Sequence, residues 1–93
     1  MSFNLTLPNE LKKEGWKVKI RDKERAEPPH VSIIKGLKTW RWGLRDQQFL
    51  DRNPHHREIS EELLKYITAN QRTLTTEWDK MYPHNPVDME QES

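Results

Sequence analysis

An unbroken alternation of apolar and basic side chains constrains the fold of this 93-residue chain more than any other feature. The run consists of Trp16, Lys17, Val18, Lys19, Ile20 and Arg21. Successive side chains of a β-strand point to opposite faces of a sheet, so the pattern predicts a strand that is buried on one side only. The three basic side chains therefore share the solvent-facing side.

A short helix is predicted immediately before this strand, at residues 7–14. Pro8 suits the first turn of a helix, and Glu10 lies near the positive end of the helix dipole. Gly15 then ends the helix, because glycine readily adopts the left-handed conformation found just after a helix.

Two further strands are predicted after the first one. A charged connection ends in Pro28 and Pro29, which hold the chain extended, and residues 30–35 follow as the second strand. A tight turn at Gly36 then returns the chain as a third strand at residues 37–42, which are rich in residues that favour sheets.

One long helix is predicted near the C-terminus, after an irregular segment at residues 43–57. Ser60 suits the N-cap position, and Pro83 ends the helix. Apolar residues recur at three- or four-residue steps or their multiples, forming one stripe of Ile59, Leu63, Ile67, Leu74, Trp78 and Met81. This stripe is expected to lie across the sheet.

The composition allows one small core. Only 32% of the residues are hydrophobic, so a few large aromatic side chains must supply much of the buried surface. Trp40 and Trp42 are therefore expected in the core, rather than on the surface as a stacking platform for bases. The predicted fold is a single α+β domain at residues 1–83, with a three-stranded antiparallel sheet covered on one face by the long helix. The acidic residues 84–93 are expected to form a mobile tail.

The chain contains no cysteine, which excludes disulfides and thiolate zinc sites and favours a reducing compartment. It also has no run of roughly 20 apolar residues, the length that crosses a membrane. A cytoplasmic protein is therefore expected. Glu27 and His30 are three residues apart but have no evident third ligand, so neither a metal nor another cofactor is predicted.

Charge is distributed unevenly along the chain, although the net charge is only +1. Residues 11–45 contain eleven basic and four acidic residues, whereas residues 46–93 contain five basic and ten acidic ones. The predicted sheet therefore lies in a basic half of the chain, and the long helix lies in an acidic half.

Alternation along the strands predicts a basic open face with Lys17, Lys19, Arg21 and Arg41 as RNA-binding residues. The same alternation places His30, Ser32 and Thr39 on this face. His30 is then a candidate general acid or base, with the neighbouring cations steadying a pentacoordinate phosphate. Binding of another anion, or a merely solvated charged face, are the alternatives.

A wider pattern joins a strand, the segment Glu27-Pro28-Pro29-His30-Val31, and a closing helix that starts at Ile59-Ser60-Glu61-Glu62. Asn70, Leu74 and Trp78 follow at fixed spacing. The combination resembles a family of small bacterial domains of unknown function that carry a Pro-Pro-His segment, and it departs from that family at Ser32, where a second histidine is common. The resemblance covers roughly residues 16–82. It implies membership of a toxin–antitoxin pair with a small partner protein.

The opening of the chain, together with a histidine on the second strand, is similar in architecture to small toxin ribonucleases with a double-stranded-RNA-binding-like fold. The leading hypothesis is therefore a toxin-like protein that binds RNA through its basic sheet face and cleaves it with His30. The alternatives are a non-catalytic module that binds a partner protein, and a homodimer that pairs its Trp-rich strands.

Overall fold

The computed structural model describes residues 3–21, 28–50 and 56–87 and has an α+β architecture. An antiparallel sheet contains every strand, and the longer helices lie near the C-terminus. In chain order the elements are β1 (Phe3–Asn4), α1 (Asn9–Lys13), β2 (Trp16–Ile20), β3 (His30–Lys35), β4 (Lys38–Gly43), a 3-10 turn (His56–Glu58), α2 (Glu61–Ala69) and α3 (Gln71–Met81).

The sheet has four strands in the order β1-β2-β3-β4, and each neighbouring pair is antiparallel. The predicted strands at residues 16–21, 30–35 and 37–42 correspond to β2, β3 and β4. The prediction of three strands is wrong, because β1 adds a fourth strand along β2, with Phe3 opposite Ile20 and Asn4 opposite Lys19. A strand of two residues is too short to show alternation, so the sequence carries no periodic signal for it.

A two-residue turn at Gly36 and Leu37 joins β3 to β4, and it closes a ladder in which Lys35 lies opposite Lys38. Gly36 has a φ angle of +63°, a conformation that costs glycine little but strains other residues. Glycine at the first turn position suits the twist of a tight hairpin. The turn therefore fixes the register of β3 and β4.

The long C-terminal helix of the prediction is two helices, which meet at Asn70. The backbone of Asn70 (φ −104°, ψ 17°) lies outside the helical region, and its side-chain nitrogen donates to the carbonyl of Tyr66 at 2.8 Å. Asparagine competes for backbone hydrogen bonds in this way, which favours a break. The Ser60 N-cap is confirmed, because its hydroxyl accepts from the Leu63 amide at 3.4 Å.

The helices cover one face of the sheet. The buried strand residues on that face belong to the same core cluster as the buried helix residues: Trp16, Val18, Ile20, Val31, Ile33 and Trp40 from the sheet, and Leu63, Ile67, Leu74 and Trp78 from α2 and α3. The expectation that Trp40 lies in the core is confirmed, and Trp42 is half-buried with its ring edge against Phe49. On the opposite face Lys17 is exposed and Lys19 is half-buried, whereas Ser32 and His30 are buried, so that face is open along β2 and closed at the start of β3.

The segment after α3 turns back and packs on that helix. Val87 is buried, its amide donates to the Asp79 carboxylate at 2.9 Å, and its carbonyl accepts from Arg45. The Trp78 indole donates to the carbonyl of Asn85 at 2.7 Å. Residues 84–87 therefore differ from the expected mobile tail, and the rest of that predicted tail lies outside the described residues.

Candidate nucleic-acid interface

The face of the sheet opposite the apolar strand residues carries all four residues that the sequence predicted for RNA binding. Lys17 and Arg21 are exposed, and Lys19 and Arg41 are half-buried. The register places Asn4, Lys19, Ser32 and Arg41 side by side across the four strands, and it places Lys17, Ile34 and Thr39 in the next row. We call this set, with Arg21 at the end of β2, the basic face.

The cations of the basic face are spaced both along β2 and across the strands. Lys17, Lys19 and Arg21 follow one another at every second residue of β2, so their α-carbons are about 7 Å apart along the strand. Arg41 lies in the same row as Lys19 but two strands away, which corresponds to about 10 Å. The charges therefore form a two-dimensional array.

Ser32 lies between Lys19 and Arg41 in that row and is buried. Its burial means that neighbouring groups cover it, so the centre of this row is closed to solvent.

The register places His30 opposite Gly43, on the same face as Ser32 and Arg41, but the side chain is buried there. Its side chain is 0% exposed, and its ring lies against the indole of Trp78 with the centroids 5.6 Å apart. Its Nδ1 lies 2.8 Å from the Pro28 carbonyl oxygen, which accepts the hydrogen bond. Pro28 and Pro29 directly precede β3, and the His30 ring that follows them contacts α3.

Burial of His30 bears on its predicted catalytic role. A general acid or base must come within hydrogen-bond distance of the proton that it transfers. In this arrangement the imidazole would have to leave Trp78 before it could meet a ribose or phosphate on the basic face. The geometry favours a structural role, in which His30 fixes the start of β3 against α3.

Tyr82 connects the basic face to the helical layer, a contact that sequence reasoning missed. The Tyr82 hydroxyl donates to the backbone carbonyl of Arg21, and its ring lies 4.3 Å from that of Trp78. Tyr82 thereby holds the end of β2, where Arg21 is displayed. The sequence shows only an aromatic residue before Pro83, which gave no indication of this partner.

Asn4 is a member of the basic face that the sequence did not predict, because β1 was not recognised. It is exposed beside Lys19 and adds an amide that both donates and accepts hydrogen bonds. Ile34, which is half-buried in the next row, adds a small apolar surface next to Lys17.

The described residues were also considered for metal-ligand groups and for membrane-spanning helices. Within residues 3–21, 28–50 and 56–87, no group of three His, Asp or Glu side chains could hold a metal ion. Glu27 lies outside these residues. No helix in the described part of the chain is long and apolar enough to cross a membrane.

The sequence matches no family model, no curated protein and no solved structure. The likeness to the Pro-Pro-His family of bacterial domains therefore stays a prediction from the residues alone.

Proposed function

We propose that this protein binds RNA through the basic face of its sheet. The observation that carries the proposal is the row of Lys17, Lys19 and Arg21 along and just after β2, of which Lys17 and Arg21 are exposed, with Arg41 two strands away on the same face. Cations placed in this way neutralise backbone phosphates, and the release of condensed counterions then drives binding.

The surrounding sheet supports this use of the face. The cations stand on hydrogen-bonded strands that are covered from behind by the core, and Tyr82 fixes the end of β2. Binding then has to order the cationic side chains but not the backbone that carries them, which lowers the total ordering cost.

The resemblance suggests a setting for this binding, namely a toxin–antitoxin pair in which a small partner protein accompanies a toxin-like chain. Cleavage of the RNA by His30, and a double-stranded-RNA-binding-like arrangement of the fold, belong to the same suggestion. RNA binding by the basic face depends on neither, because its cations are displayed whether or not His30 takes part in chemistry.

The test is a titration of labelled RNA at several salt concentrations, with the parent protein and with Lys17→Ala, Lys19→Ala and Arg21→Ala. Lys65→Ala is the matched control, because Lys65 is an exposed lysine on α2, in the layer that covers the other face. Each basic-face variant is expected to weaken binding and to reduce the slope of log K against log salt by about 0.7–0.9. The control is expected to change neither quantity.

Two results would contradict the proposal. One is the absence of RNA binding by the parent protein at low salt. The other is an equal loss of affinity in the control and in the three variants, which would indicate non-specific attraction by overall charge. Tight, salt-insensitive binding of a partner protein in the absence of RNA binding would favour the interaction-module alternative.

A further inference from the structure

We infer that a groove between β1, α1 and β2 binds a small amphiphilic anion, namely an unbranched aliphatic carboxylate such as octanoate. The groove has a volume of about 240 Å³. Its apolar lining comes from Leu5, Leu7, Trp16 and Val18, and its charged lining from Lys12 and Lys17. The inference goes beyond RNA binding and does not depend on it, because Lys12 and the apolar lining lie outside the basic face.

The groove lies where the chain leaves β2 to form α1. The Leu5 amide donates to the Val18 carbonyl at 2.9 Å just after β1, and the chain then turns away into α1. It returns to β2 through Gly15, whose amide donates to the Lys12 carbonyl at 3.0 Å. The detour leaves a gap beside the first half of β2, and these two hydrogen bonds fix the chain on either side of it.

The apolar lining of the groove is held in place by the core. Its four apolar residues belong to the core cluster, and each exposes at most 9% of its surface. Trp16 is fixed from several sides, because its indole donates to Glu14 at 3.1 Å, the Lys35 ammonium lies 4.7 Å from its ring centroid, and the Trp40 ring packs against it. Since each residue shows the groove only a small part of its surface, the groove suits a single flexible chain better than a ring.

The charged lining of the groove is cationic. Lys12 on α1 and Lys17 on β2 are both exposed, and within the described residues neither ammonium group has an ion pair or hydrogen bond. Glu14, the acid that follows α1, does not line the groove, and its carboxylate accepts from the Trp16 indole. An anion beside the two lysines therefore meets two available cations and no lining carboxylate, so charge complementarity selects an anionic head group.

The volume of the groove sets the length of the apolar chain. A water molecule takes up roughly 30 Å³ of the liquid, so the groove has room for roughly eight groups of that size. Octanoate has an apolar chain of this length and one carboxylate. Small-molecule sites typically combine a mostly apolar lining with a few polar groups that orient the ligand, and this groove has the same make-up.

The experiment follows the backbone amide NMR signals of the 93-residue protein during titration with butyrate, octanoate, dodecanoate and octanol, each below its micelle concentration. Octanoate is expected to bind at least about tenfold more tightly than butyrate, because buried methylene groups add affinity. Dodecanoate should gain little more, since its extra carbons stay in solvent. Octanol should bind severalfold more weakly than octanoate, and the shifted signals should belong to residues 4–7 and 12–18.

Two variants and a matched control test the cations. Lys12→Ala and Lys17→Ala are each expected to weaken octanoate binding by about two- to fivefold, the size of an exposed ion-pair contact. Lys13→Ala is the control, because Lys13 is an exposed lysine next to Lys12 on α1 that does not line the groove. The control is expected to bind octanoate like the parent, and thermal unfolding shows that the variants are equally folded.

Several results would overturn the inference. One is no octanoate binding, and another is an affinity that rises as much from octanoate to dodecanoate as from butyrate to octanoate, which indicates non-specific adsorption. Octanol binding as tight as octanoate binding, or an equal loss in Lys13→Ala, removes the recognition of the anion. Shifts of the same signals with protein concentration alone would mean that a second copy fills the groove. RNA titrations are independent of all these outcomes, so the two proposals can fail separately.

Discussion

The imidazole of His30 lies against the indole of Trp78, with their ring centroids 5.6 Å apart and the rings tilted by 50°. Trp78 in turn contacts Tyr82, whose hydroxyl holds the backbone at Arg21. This aromatic row joins the start of β3, the middle of α3 and the end of β2. The residue that the sequence singled out for catalysis thus belongs to the connection between the sheet and the helices.

His30→Ala is expected to lower the free energy of unfolding by about 2–4 kcal/mol, because it removes a buried ring and leaves a cavity beside Trp78. The hydrogen bond to the Pro28 carbonyl is lost as well. Urea denaturation of parent and variant measures this change. RNA affinity of the folded variant is expected to stay within about twofold, because His30 is not displayed on the basic face.

The ribonuclease hypothesis predicts a different result for His30→Ala, namely a loss of RNA cleavage rather than a loss of stability. If His30 were a general acid or base, His30→Ala would retain binding but reduce RNA cleavage by about 10²–10⁴-fold. Paired cleavage and growth-inhibition assays on equally folded parent and variant proteins decide between the two roles. If both proteins cleave RNA equally, or if the parent does not cleave RNA, the ribonuclease hypothesis is contradicted and the structural role of His30 is supported.

Trp78→Ala is expected to cost about 3–5 kcal/mol, the usual range for truncating a large buried aromatic side chain. Trp78 is 0% exposed, contacts His30 and Tyr82, and donates its indole hydrogen to Asn85. With a total stability of roughly 5–15 kcal/mol, the variant is expected to be largely or partly unfolded. A circular-dichroism melt measures the loss, and a melting curve that overlays that of the parent would contradict the assignment of Trp78 to the core.

The turn at Gly36 gives a prediction with a built-in control. Gly36→Ala is expected to cost about 1–2 kcal/mol, because φ is +63° and the left-handed conformation strains a residue with a β-carbon. Apart from the adjoining residues, no atom lies within 4 Å of the added methyl group, so the expected loss comes from backbone strain and not from a clash. Gly36→Asn is expected to recover part of the loss, because asparagine tolerates this conformation. Equal stability of parent and Gly36→Ala would show that the turn relaxes.

Sequence reasoning predicted the sheet well wherever alternation was long enough to be read. The run from Trp16 to Arg21 indicated both the strand and its basic side, because the two-residue period of a strand leaves one choice of faces. The same reasoning gave the face of His30, which it shares with Ser32 and Arg41, but not its burial. It assigned a face from alternation, but it could not show that α3 packs against the beginning of β3 and buries the ring there.

Sequence patterns also did not predict where the C-terminal helix is interrupted or how the segment after it packs. The apolar stripe from Ile59 to Met81 continues across Asn70, so periodicity alone predicted one helix where the Asn70 side chain stabilises a break. The acidic composition of residues 84–93 predicted a solvated segment, and composition gave no sign that Arg45 would bind its beginning. Both features depend on specific side-chain to backbone hydrogen bonds that no pattern in the sequence reports.

Arg45 and the residues after α3 provide the last prediction. The Arg45 guanidinium donates to the carbonyls of Val87 and Pro86 and to the side chain of Asn85, at 2.8–3.1 Å. These hydrogen bonds tie residues 85–87 to the loop after β4. A protein that ends at residue 83 is therefore expected to lose about 2–4 kcal/mol of unfolding free energy, because the surface that Val87 covers becomes exposed and the hydrogen bonds are lost.

A protein that ends at residue 87 is the matched control, because it keeps all of these contacts, and its stability is expected to equal that of the parent. Arg45→Ala should fall between the two truncated forms, since Val87 can still pack while its carbonyl loses the guanidinium. Urea midpoints of the four proteins measure the series. Identical midpoints for the proteins that end at residues 83 and 87 would show that residues 84–87 contribute nothing to stability, and that the packing of Val87 on α3 has no energetic weight.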